Sequence, residues 1–190
     1  DYQDEAYAER YRDRLAAFRA ALPKDRAEAL TTLAAKSLFK LMAYKDEYEV
    51  ARLHRDDGFL AKLREEFEDG FTIRHHLAPP LLPTGKDARG RPRKVALGPW
   101  VRGGFRLLAP LKRLRGGPLD VFARTAERRE ERALIDWCEA LMDEAAAAGG
   151  APDRDWEAIL KAPMEIRGYG PVKEAAIAKV RGEVEALRAS

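Results

Sequence analysis

Cysteine is almost absent from this chain of 190 residues; Cys138 is the only one. A lone thiol closes no internal disulfide and cannot hold an iron–sulfur cluster, which takes four thiolates. It lies between Trp137 and Leu141 in a helical pattern, where it reads as a small buried hydrophobe. The lack of disulfides points to a reducing, cytoplasmic compartment. Long apolar runs are missing too, so a transmembrane reading is excluded and no membrane partner is expected. The opening residues Asp1-Tyr2-Gln3-Asp4-Glu5 offer neither the basic start nor the apolar stretch of a signal peptide. They lack an initiator Met as well, and the chain therefore reads as a fragment or a processed product.

Carboxylates are missing from the middle. Between Phe71 and Gly117 eleven Lys and Arg residues face Asp87 alone, a local charge of +10 in a chain whose total is +3. The remainder therefore sums to −7, and the centre is built to meet something negative or to be neutralised by its own flanks. A hydrophobic content of 46% beside 35% charged residues is that of a globular chain able to bury a core.

What is present reads mostly as helix. Tyr7, Tyr11, Leu15, Phe18 and Leu22 recur at three- and four-residue spacing on a helix that stops near Pro23. A second helix is expected from about Asp25 to Leu53, with Leu30, Leu33, Ser37, Leu41, Tyr44 and Tyr48 on one side. Asp56 or Asp57 caps a third, in which Phe59, Leu60, Leu63 and Phe67 face inward. Phe71 to Leu77 and Arg93 to Leu97 then read as two strands of a hairpin around an exposed loop rich in Gly, Pro and basic residues. Helix resumes from Trp100 to Leu114 with Phe105, Leu108, Leu111 and Leu114 as its apolar stripe. It returns from about Ala123 to Ala148, around Trp156, and from Pro171 onward. The fold class is mainly α: a helical bundle with one small β-hairpin, a single domain over 1–190 with 71–98 as a hairpin insertion.

Few residues offer chemistry. His75 and His76 are adjacent on a strand and point to opposite faces, so they do not chelate one metal together. With His54 distant in sequence and no HxxxH or CxxC spacing, no metal site is expected. Lys45 with Asp46, Glu47 and Glu49 reads either as a cleft group with a carboxylate or as a Lys45–Glu49 pair on a charged helix face. Arg167, Gly168, Gly170 and Lys173 precede a helix, where backbone N–H groups and two cations make either a weak anion site or an ordinary helix start. The basic stretch, with Arg89, Arg91, Arg93 and Lys94 at its loop, reads as an interface. Without a nucleic-acid module signature, nucleic acid is an unfavoured partner.

Longer phrases say more. Leu38 to Leu53 (LFKLMAYKDEYEVARL), His76 to Leu82, Gly90 to Lys94, Gly98-Pro99-Trp100, Phe105 to Ala109, Leu114-Arg115-Gly116, Thr125 to Arg129 and Ile166 to Gly170 occur in this order. They closely resemble the C-terminal region of bacterial indolepyruvate ferredoxin oxidoreductases, over nearly all of Tyr2 to Leu187. The resemblance implies a parent enzyme that oxidatively decarboxylates aryl 2-oxo acids to an acyl-CoA. Such an enzyme uses thiamine pyrophosphate with magnesium, and [4Fe–4S] clusters that pass electrons to ferredoxin. The chain itself has no GDG…N thiamine motif and no cysteine array, so it carries no cofactor and no catalytic residue. It is expected to be a non-catalytic C-terminal interface domain, meeting other domains or subunits of the parent and, as a candidate, ferredoxin. The alternative from the residues alone is a free-standing module for an acidic partner, protein or nucleic acid; an autonomous hydrolase or lyase using Lys45 or the histidines ranks below both.

Overall fold

A computed structural model of the chain describes residues 2–55, 57–67, 71–77, 85, 93–151 and 153–189. Among them are eight α-helices and one two-stranded antiparallel hairpin, so the chain is mainly α-helical. It divides into two compact units, one of residues 3–44 and 120–190, the other of Tyr2 and 45–119. No helix among the described residues is long and apolar enough to cross a membrane.

The first unit is a bundle of α1 (Glu5–Ala21), α2 (Lys24–Met42), α6 (Ala126–Ala147), α7 (Trp156–Lys161) and α8 (Pro171–Ala189). Asp4 starts α1 by accepting the Tyr7 N–H, and Thr125 does the same for α6 at Arg128. Leu30, Leu38, Leu134, Leu141, Trp156, Ile159 and Val184 fill one continuous core. Each such side chain taken from water contributes about 1.5–3 kcal/mol. Polar groups in and beside this core are tied to backbone. The Tyr7 and Tyr11 hydroxyls donate to the Met42 and Ala35 carbonyls, and the Ser37 hydroxyl donates to Leu160 at 2.7 Å. Cys138 lies in this core, and burial above all, with Glu139 adding to it, pushes its thiol up to about 12.

The second unit holds α3 (Glu47–His54), α4 (Asp57–Glu66), β1 (His75–Leu77), β2 (Val95–Leu97), α5 (Val101–Leu108) and a 3-10 segment, Ala109–Leu114. The strands pair antiparallel with His75 opposite Leu97 and Leu77 opposite Val95. They are shorter than the two runs read from sequence. Ala51 of α3 meets Val101, Phe105 and Ala109, and Leu77, Leu97 and Leu108 close this small core from the hairpin and α5. The inward stripe is therefore Val101, Phe105 and Ala109. Leu111, expected inward, is exposed, and so is Phe67 of the third expected helix.

One expectation fails outright: the helix drawn from Asp25 to Leu53 breaks. α2 ends at Met42, and α3 begins at Glu47 with Asp46 as its N-cap, accepting the Glu49 N–H. A short polar side chain that can bond its own backbone competes with helix at this point. The loop from Pro83 to Pro92 lies, apart from Gly85, outside the described residues.

Gly150, just past α6, has φ +60°, and a Cβ there would meet Leu30 Cδ1 at 2.7 Å. Gly150→Ala combines left-handed strain with that clash, and is expected to cost about 1–3 kcal/mol in denaturant unfolding; an unchanged midpoint would contradict this packing.

Candidate functional site

The second unit is organised by a buried ion pair. Arg115, at the end of the 3-10 segment, donates from Nε to Asp46 Oδ2 at 2.5 Å and from Nη2 to Oδ1 at 2.9 Å. Both side chains are almost fully buried. The guanidinium also donates to the Tyr2 carbonyl at 3.0 Å and lies over the Tyr2 ring, 4.1 Å from its centroid. Asp46 simultaneously caps α3 through the Glu49 N–H. One carboxylate thus fixes where a helix starts and where a segment 69 residues on is anchored. The planar, two-pronged geometry suits Arg and not Lys.

This pair explains the fate of the Lys45 cluster. Lys45 precedes α3 and is exposed, Asp46 is buried, and Glu49 pairs with Arg52 at 2.7 Å. The Lys45–Glu49 pairing expected on an unbroken helix does not form, because the break places Lys45 outside α3.

Exposed cations frame the rest of the unit. From Arg93 to Leu119 there are seven Lys and Arg residues and no carboxylate, with Arg115 among them buried against Asp46. Arg93 and Lys94 are exposed at the start of the second strand, and Arg106 and Arg113 are exposed along α5 and the 3-10 segment. Arg89 and Arg91 lie outside the described residues.

In the first unit, Gly168 and Gly170, at φ +101° and +53°, shape the turn into α8. Here the fold adds a cation that sequence reasoning missed: Lys40, from α2, donates to the Pro163 and Met164 carbonyls. Burial, with help from Arg167, holds its pKa below the usual lysine value. Lys173 lies between both oxygens of Glu131 at 2.6 Å, and Arg167 faces Met164 O and Glu165. Gly170 and Lys173 line a hollow of about 400 Å³ whose charged rim includes Glu127, Glu130, Glu131 and Glu174. The hollow sets these four carboxylates against two cations, Lys173 and Arg181, and neither Arg167 nor Gly168 lines it.

The histidines divide as a strand requires, His75 buried and His76 exposed. Folding brings His54 to His75, with ring centroids 4.9 Å apart, and stacks it on Phe105 at 5.2 Å. Nothing in their spacing revealed this. Buried His75 Nε2 has no protein partner among the described residues. Burial, then His54 and Arg102, hold its pKa below 6.5. No cluster of three or more His, Cys, Asp or Glu suited to a metal occurs among the described residues.

The chain belongs to the family of unknown function DUF6537, whose model matches residues 1–186. No curated protein and no solved structure matches it.

Arg115→Met leaves the Asp46 carboxylate buried without its partner and is expected to destabilise the second unit by about 3–5 kcal/mol. Asp46→Ala removes the α3 cap together with the ion partner and should cost about 1 kcal/mol more; equal losses would argue against the dual role. His75 supplies a pH test. Its folded pKa is depressed, so the unfolded state binds protons more readily. Stability is complete above about 6.5 and falls as pH drops below it. His75→Phe should flatten that acid limb in unfolding titrations, and an unaltered limb would remove His75 as its source.

Proposed function

We propose that this DUF6537 chain is a non-catalytic interface domain of an enzyme resembling the indolepyruvate ferredoxin oxidoreductases. The ordered phrases from Leu38 to Gly170 support the kinship, and both partners of the buried pair, Asp46 and Arg115, fall inside them. The single observation that carries the contact role is the exposed set Arg93, Lys94, Arg106 and Arg113, in a stretch from Arg93 to Leu119 that holds no carboxylate. Exposed cations on one unit raise the local concentration of an acidic partner and orient its approach, more than they add to final affinity. In the parent, that partner is another domain or subunit, with ferredoxin as a candidate for the same surface. Thiamine chemistry and electron transfer then belong to other parts of the polypeptide or assembly, and this chain supplies shape and charge.

Replacing Arg89, Arg91, Arg93 and Lys94 with Ser in the full enzyme should slow ferredoxin-linked turnover and flatten its dependence on ionic strength, with little change with an artificial electron acceptor. Salt screens exposed charges over about 8–10 Å at physiological strength, so the slope reports the docking contribution. An unchanged rate and salt slope would contradict ferredoxin docking. Reduction of an acceptor by the isolated chain, given 2-oxo acid, thiamine diphosphate and coenzyme A, would contradict the non-catalytic role.

A further inference from the structure

α5 has two apolar sides. Val101, Phe105 and Ala109 enter the small core, while Trp100, Leu107 and Leu111 stand 73%, 77% and 44% exposed. They are spaced seven and four residues apart, which aligns them along the outward side of α5 and its 3-10 continuation. Scattered apolar residues on a surface are ordinary; an aligned row is not.

Gly103 and Gly104 sit between Trp100 and Leu107, exposed in the same helix. Neither has a positive φ, and a Cβ on either would touch nothing within 4 Å. The fold therefore needs neither glycine, although each weakens a helix by up to about 1 kcal/mol relative to Ala. What they provide is a notch between a Trp and a Leu, into which another chain can approach closely. Arg106 and Arg113 flank the row, within the stretch that holds no carboxylate.

We infer that this outward face docks an acidic amphipathic helix of a protein partner. The partner's apolar stripe lies on Trp100, Leu107 and Leu111, one of its side chains enters the notch, and its carboxylates meet Arg106 and Arg113. A bilayer would make no use of a notch, and three large side chains on a helix locked into a core give it little to insert. Nucleic acid would need cations along the contact line, where this face presents Trp and Leu. The inference rests on the contact role proposed above and on none of the parent's enzymology.

The test pans a displayed library of random peptides, about sixteen residues long, against the 190-residue chain. Selected peptides are expected to carry apolar residues at three- and four-residue spacing flanked by Asp or Glu. They should blue-shift the tryptophan emission of the native chain but not of Trp100→Phe. Leu107→Ser should weaken them about tenfold. The double variant Gly103→Ala, Gly104→Ala should weaken them similarly while raising the melting temperature, opposite signs that a misfolded variant cannot give. No enrichment, selected peptides without acidic flanks, or affinity indifferent to both variants would overturn the site. So would a Trp100 shift produced only by phosphatidylglycerol vesicles or by duplex DNA. Turnover is not read in this assay, so loss of the docking site and loss of the oxidoreductase reading are separable.

Discussion

Taking Asp46 and Arg115 out of water costs several kcal/mol per ion, and the second unit offsets this only through near-complete satisfaction of both groups. The carboxylate accepts two guanidinium N–H groups and the first-turn N–H of α3, while the guanidinium also reaches the Tyr2 carbonyl and lies over its ring. An apolar pair of equal volume could hold the same space with similar stability. What the ions add is position. Asp46 is an N-cap and an ion partner at once, so α3 starts where the 3-10 segment ends, and Ala51 then meets Phe105 and Ala109. The outward side of α5 follows from that inward packing.

Much of this architecture was legible in the sequence because helices in the first unit are amphipathic and cleanly punctuated. Pro23, Gly149-Gly150 and Pro171 mark ends and starts that the structure places within a residue or two. The hairpin was legible from β-branched and aromatic runs. The break at Ala43–Asp46 was not, because Leu41, Tyr44 and Tyr48 continue a helical period straight through it, and only a contact with Arg115, far along the chain, reveals why it stops. Leu111 misled for a related reason: it is apolar and helically spaced, yet it belongs to the outward row. Periodicity finds a stripe without saying which of two stripes is inside.

The site-level reading divides in the same way. Charge is a property of composition, so the basic centre was visible at once, whereas Lys40 beside Arg167, Glu131 around Lys173 and His54 against His75 depend on tertiary folding. Those neighbours change the chemistry the motifs suggested. Of the two cations near the glycines only Lys173 lines the hollow, where it is held by Glu131, and the strand histidine becomes a buried ring in an aromatic cluster with Phe105. The exposed cations and aligned apolar side chains of the second unit remain, and they suit a chain that acts by contact.

The central claim is that the Asp46–Arg115 pair holds the second unit as a platform in its own right. Amide hydrogen exchange on the full chain carrying Arg115→Met addresses it most directly, because exchange reports local opening element by element. The account predicts faster exchange throughout α3, the hairpin and α5, with α1, α2, α6 and α8 still protected. Protection retained in α3 and α5, or lost evenly from both units, would contradict it.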